Sequence, residues 1–371
     1  MRELIIKTAV ALLRFINLFF RPLKLKDRVV IISRQSDRPT LDIKLLRDCL
    51  ESRGIETAVL TKTLQKSIAG ALSYCLHMLK QLKYLASSKV VVLDGYCIAV
   101  SVLPKKKGQS VVQMWHALGA VKKFGWQTTE NPDGHSRAVA EIMQMHRNYD
   151  IVLTPSKATG RFFAEAFRVP ESSLVYFGLP RIDYLRCDAE KSREKIEKVY
   201  PKIKGKTNVL YVPTFRKNTA LKLDRLVAGF DFESYNLIIK KHFLDTSDYS
   251  WAETAGAVVD TAFSSMEWLR ISQKVVTDYS AISFEAAILD KELYIFQADV
   301  SDYSHNVGLN MDLTQEAIGE YVCCSEDELF NKLKEPYRIE KVKEFADKYI
   351  EIETENCTEK LCSFIAGLMT R

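Results

Sequence analysis

A chain of 371 residues with 47% hydrophobic and 27% charged side chains has the composition of a soluble globular protein and is too long for one comfortable core, so disorder is excluded and two domains are expected. The 53 basic and 47 acidic residues leave a net charge of +6, too small an excess for a dedicated nucleic-acid binder but suited to anionic ligands or an anionic membrane surface. Eight cysteines without a CxxC pair or a histidine at zinc spacing argue against a structural metal and read as reduced, buried thiols without disulfides.

The N-terminal segment MRELIIKTAVALLRFINLFFRPLKLK is nearly all apolar from Leu4 to Phe20, interrupted by Lys7 and Arg14. On a helix Glu3, Lys7, Arg14, Asn17 and Arg21 fall within about 80° of one another, which leaves a broad apolar face, and Pro22 ends the run. No small-residue cleavage site follows, as a signal peptide would need, and two cations count against a span of about 20 apolar residues. A membrane-associating amphipathic helix over 1–25 fits best, with docking on the protein's own core as the alternative.

Beyond it, short β-branched runs alternate with helical patterns: RVVIISR, ETAVLT, KVVVLDG, SVVQMWH, IVLTPS and SLVYFG. The charged stretch CDAEKSREKIEKVYPKIKGK reads as the crossing between domains. The alternation restarts with NVLYVPTF, YNLIIKKH, GAVVD, QKVVTD and ELYIF. The pattern predicts an α/β protein with a doubly wound parallel sheet at 26–190 and a second at 191–371, two Rossmann-like lobes facing a cleft. Ligands of such sheets bind at the carboxyl ends of strands, and nearly every unusual polar cluster here follows a strand.

His116 ends SVVQMWH, preceded by Trp115 and followed by Lys122. Arg181 and Asp183 lie in GLPRID, Arg216 in PTFRK, and Lys240, Lys241 and His242 end YNLIIKKH. In VVTDYSAISFEAAILD, the turn Asp278, Tyr279, Ser280 precedes a helix expected to begin near Ser280. Its first amides, at Ala281, Ile282 and Ser283, lack intrahelical partners, so together with the Ser280 and Ser283 hydroxyls they suit a phosphate. Glu285 is positioned to accept from ribose hydroxyls. The bland alternatives are a serine N-cap, a first-turn acid complementing the helix dipole, and solvated charge runs. GxGxxG, Walker, HExxH and GxSxG sequences are missing, which removes the main support for dehydrogenase, P-loop, zincin and hydrolase readings.

Taken in order, WHALGAVKKFG, GLPRID, YVPTFRK, IIKKH and TDYSAISFEAAILDK resemble the CDP-glycerol glycerophosphotransferase family of teichoic acid synthesis, over roughly residues 28–340. Trp115, His116, Lys122, Asp278, Tyr279, Ser280, Phe284 and Glu285 match its motifs. Ala117 stands for the usual glycine, Ala281 for a serine, and Phe243 for a proline. The resemblance implies a GT-B arrangement; because the protein supplies cations and amides and carboxylate pairs for magnesium are not evident in the sequence, no obligatory metal or cofactor is expected. It implies transfer of glycerol or ribitol phosphate from CDP-glycerol or CDP-ribitol, with loss of CMP, to an undecaprenyl-diphosphate-linked acceptor at the cytoplasmic face of the membrane. His116 would then be the general base and His242 a partner of the diphosphate. Arg216, Lys240 and the 278–285 segment would hold the donor, while Trp115, Lys122, Arg181 and Asp183 would contact acceptor or phosphate. The length favours a small number of transferred units or an uncommon polymer. A sugar-nucleotide glycosyltransferase of the same fold and a non-catalytic membrane scaffold remain the alternatives, separable by which donor turns over.

Overall fold

The structure, a computed structural model, describes residues 1–65, 67–134, 136–216, 223–242 and 245–370. The chain forms two compact units. The first comprises residues 1–118, 123–184 and 351–371, and the second residues 119–122 and 185–350.

The first unit is built on a parallel sheet of β1 (Lys26–Ser33), β2 (Glu56–Thr61), β3 (Ser88–Leu93), β4 (Ser110–Gln113), β5 (Ile151–Thr154) and β6 (Leu174–Tyr176), in the order β2-β1-β3-β4-β5-β6. Val29, Val30 and Ile31 on β1 and Val90, Val91 and Val92 on β3 are wholly buried, as continuous β-branched runs must be when helices cover both faces.

The second unit repeats the scheme with β7 (Thr207–Val212), β8 (Tyr235–Lys240), β9 (Val258–Asp260), β10 (Lys274–Thr277), β11 (Glu292–Phe296) and β12 (Val322–Cys323). Their order, β12-β11-β10-β7-β8-β9, reverses direction between β7 and β10, and in the first unit the reversal falls between β1 and β3. These switch points are where the sheets' strand ends splay apart and leave room for a ligand.

Three expectations are corrected. The division at 190/191 does not hold, because residues 351–371 return to the first unit. There the helix Cys357–Gly367 buries Leu361, Cys362 and Ile365, packs on the helix Leu41–Ser52, and has its first amides, Cys357 and Thr358, donating to Asp183 at 2.8 and 2.7 Å. The charged stretch read as a crossing is largely a helix of the second unit, Glu190–Val199, with Ile196 fully buried and Ser192 accepting from Arg270 at 2.9 Å. All eight cysteines are free thiols, but only Cys97, Cys323, Cys357 and Cys362 are buried.

The N-terminal helix, Arg2–Phe20, divides its apolar residues between two sides. Val10 and Leu13 are buried and the helix packs on the helix Arg137–Ile142, while Leu4, Ile5, Leu12, Phe15, Leu18 and Phe19 are each more than half exposed. No helix among the described residues is long and apolar enough to cross a membrane.

Candidate functional site

Polar groups collect at the switch point of each sheet. In the first unit, β3 is followed by Asp94, whose Oδ2 accepts from the Ser33 hydroxyl at the end of β1 at 2.7 Å. Its other oxygen, Oδ1, is buried without a hydrogen-bond partner among the described residues. Burial pushes this carboxyl up to about 7, so it holds its proton far more readily than an exposed acid.

His116 sits beside it, half-buried, with Nδ1 2.6 Å from the Asp94 carbonyl oxygen. A carbonyl only accepts, so Nδ1 carries the proton and the lone pair lies on Nε2. The Gln35 side-chain nitrogen is placed 3.1 Å from the same Nδ1, and a protonated Nδ1 requires the amide to be assigned the other way round, with its oxygen towards the ring. The backbone is fixed as well. Trp115 has φ 61°, its N–H donates to Gln113 Oε1 at 3.0 Å, and its ring stacks on Phe124 at 5.1 Å. Arg181 makes two 2.8 Å bonds to the buried Asp42, from its backbone N–H and from Nε, and donates to the His116 carbonyl at 3.0 Å. Arg181 therefore positions the His116 turn, and Asp183 caps the returning C-terminal helix.

In the second unit the centre is Asp278, which directly follows β10 and is 1% exposed. It accepts from the Thr214 hydroxyl at 2.6 Å, from the Thr214 and Tyr279 amides, and from Arg216 Nη2 at 2.9 Å. Arg216 also grips Asp299 at 2.7 and 3.0 Å, and its guanidinium lies 4.6 Å from the Tyr303 ring, which stacks on Tyr279 at 3.9 Å. Lys240 pairs with the fully buried Asp260 at 2.8 Å. Two of the cations expected to face a donor are thus already matched by acids, and they order the strand ends that carry them.

Lys122 changes company. The segment 119–122 belongs to the second unit, where Lys122 bridges to Leu309 and its carbonyl accepts from Asn310 at 3.1 Å. Gly119 permits this approach, since a Cβ there would lie 1.9 Å from the Phe284 ring. The Lys122 ammonium has no ion-pair partner among the described residues. Desolvation lowers its pKa, opposed by the field of Asp278. Desolvation also lowers the pKa of His242, and the Lys122 charge lowers it further. The His242 ring stacks on Phe215 at 5.3 Å. Pro213, Lys240, His242, Thr261 and Ser264 line a hollow of about 440 Å³ at the ends of β7, β8 and β9.

The helix after Asp278 begins at Ile282 rather than near Ser280, and Ala281 is its N-cap. The first turn tightens, so the Ser283 amide bonds the Ser280 carbonyl at 3.3 Å, which corrects the expectation that this amide lacks a partner. Ser283 and Glu285 are buried, at 0 and 1% exposure. Phe243 and Lys217, quoted among the motifs, lie outside the described residues.

Two parallel α/β sheets, each with its polar residues gathered at a switch point, define a protein of the GT-B type, and known proteins agree. The variant of the wall teichoic acid polymerase TagF soaked with CDPG superposes with TM-score 0.75 at 17% identity, over 100% of this chain and 97% of that one. The family described as CDP-Glycerol:Poly(glycerophosphate) glycerophosphotransferase matches residues 14–367, and the chain belongs to that family. Its relatives include the teichoic acid ribitol-phosphate primase of Bacillus spizizenii, 27% identical over 93% of this chain and 92% of that protein. The teichoic acid glycerol-phosphate primase of Bacillus subtilis is 26% identical over 80% and 78% respectively.

Proposed function

We propose that the protein transfers glycerol or ribitol phosphate from CDP-glycerol or CDP-ribitol to a hydroxyl of an undecaprenyl-diphosphate-linked acceptor, releasing CMP, at the cytoplasmic face of the membrane. The observation that carries this reading is the His116 tautomer, since Nδ1 donates to the Asp94 carbonyl and the ring's basic lone pair is therefore on Nε2. In the step we propose, the acceptor oxygen attacks the phosphorus bearing the polyol and its proton passes to Nε2. The bond from that phosphorus to the bridging oxygen breaks, and CMP leaves with the electron pair. Such general-base help is worth about 10²–10⁴ in rate.

Charge grows on the departing CMP, and the Lys122 ammonium and a His242 N–H are the groups suited to receive it. Arg216, Lys240 and Asp278 act in this scheme by holding the donor-side strand ends in place. Ser280, Ile282 and Glu285 are proposed for the phosphate and ribose. The outward apolar side of the N-terminal helix is proposed to rest on lipid, where a lipid-linked acceptor is held.

The test is to offer CDP-glycerol, CDP-ribitol and UDP-sugars separately with a defined lipid acceptor and to weigh the product. CMP release from a CDP-polyol, with an acceptor heavier by one or more polyol phosphates, is expected. Turnover of UDP-sugars alone, or of no donor, overturns the reading.

A further inference from the structure

The run Leu103-Pro104-Lys105-Lys106-Lys107-Gly108-Gln109 belongs to neither switch point. It forms a turn between the helix Ile98–Val102 and β4, and both ends of the turn are pinned. The buried Gln109 amide donates to the Leu85 and Ser88 carbonyls at 2.6 and 2.7 Å. At the other end, Asn148 donates to the Val100 and Leu103 carbonyls at 2.8 and 2.9 Å. Three consecutive lysines are therefore presented on a fixed loop rather than a free tail.

Together with Asn17 and Arg21 at the end of the N-terminal helix, this turn encloses a hollow of about 480 Å³. The accessible apolar lining of its floor is Leu23, Leu25 and Pro104, backed by the buried Leu85, Val91 and Val111. Its rim is cationic. Lys105 is paired with Asp150, and the Lys106 ammonium bonds the Leu23 carbonyl. Arg21 and Lys107 have no ion-pair partner among the described residues, and both are exposed. Four cations against one acid favour an anion, yet free phosphate or a nucleotide diphosphate would leave the apolar floor wet. A phosphate that carries its own apolar stems satisfies both surfaces. Leu18 and Phe19, which point outward at 54 and 73% exposure, occupy the same last turns of the helix as Asn17 and Arg21.

We propose that this hollow is a binding site for the headgroup of an anionic glycerophospholipid. The phosphate would sit between Arg21 and Lys107, with the glycerol and first acyl carbons over the floor. The site is separate from the transferase chemistry and is tested without turnover, so its failure leaves the functional reading untouched.

The experiment is calorimetric titration of the full chain with dihexanoyl phosphatidylglycerol below its micelle concentration, in parallel with dihexanoyl phosphatidylcholine and with inorganic phosphate. One saturable site for phosphatidylglycerol is expected, with the other two binding roughly tenfold or more weaker. An Arg21→Ala/Lys107→Ala variant, altered only at exposed side chains, is expected to lose affinity roughly thirtyfold, in keeping with about 1 kcal/mol for each of the two cations near an anionic lipid. Equal binding of the two lipids, inorganic phosphate binding as tightly as phosphatidylglycerol, or an unaffected variant each overturns the assignment.

Discussion

His116 can present only one nitrogen to a substrate, because a carbonyl oxygen holds the proton on the other. His116→Ala is expected to lower single-turnover CMP release by roughly 10²-fold or more while leaving CDP-polyol affinity nearly unchanged. A variant transferring at the parental rate would remove the base from the scheme. His116 and the Asp278 turn could be picked out in the sequence as candidates because each follows a strand and carries a recognisable neighbour, whereas nothing local shows that Lys122, well beyond β4, joins the second unit. What a single sequence could not show is pairing across long separations. Arg216 meets Asp299 and Arg181 meets Asp42 only once the sheets are assembled, so cations that read as free turn out to be matched. Asp94 was invisible for a different reason. It is one acid at the end of an unremarkable strand, and only the fold shows its carboxyl buried and its carbonyl against the imidazole.

At the scale of elements, all eleven strands read from the sequence are present; in central strands such as β1 and β3, runs of valine and isoleucine buried on both faces leave little choice. The two-residue β12 was missed, too short to have a pattern. The charged segment 187–206 misled because a helix with one buried isoleucine looks like a linker by composition. For the N-terminal helix, docking and exposure are both realised, on different sides. Removing the helix outright would therefore also uncover whatever Val10 and Leu13 cover. Phe15→Glu with Phe19→Glu alters only the outward side, at positions 58 and 73% exposed. This double variant is expected to abolish co-sedimentation with vesicles while leaving the melting temperature within about 2 °C, as for surface substitutions. Undiminished co-sedimentation would show that the outward side does not meet lipid.

For the whole molecule, the donor is proposed to belong to the second unit. Hydrogen exchange with and without CDP is expected to show protection at 211–216, 240–242 and 278–285, and at 119–122, which the fold adds to the list. Protection confined to residues before 118 would refute the assignment. The doubly wound character of both units was readable from the alternation of elements, but their boundary was not, since contact with Asp183 and the helix Leu41–Ser52 decides where the last segment goes.

That return of residues 351–371 to the first unit has a consequence for how the protein is made. A ribosome delivers the chain in order, and domains completed early usually fold early. Here the unit that starts first cannot finish until the residues after 350 have emerged, well after the whole second sheet. Until then the side of the helix Leu41–Ser52 that receives Leu361, Cys362 and Ile365 stays open, and Asp183 waits for the two amides it will cap. The nascent chain therefore carries an unfinished apolar seam through most of its synthesis, a natural hold for a chaperone.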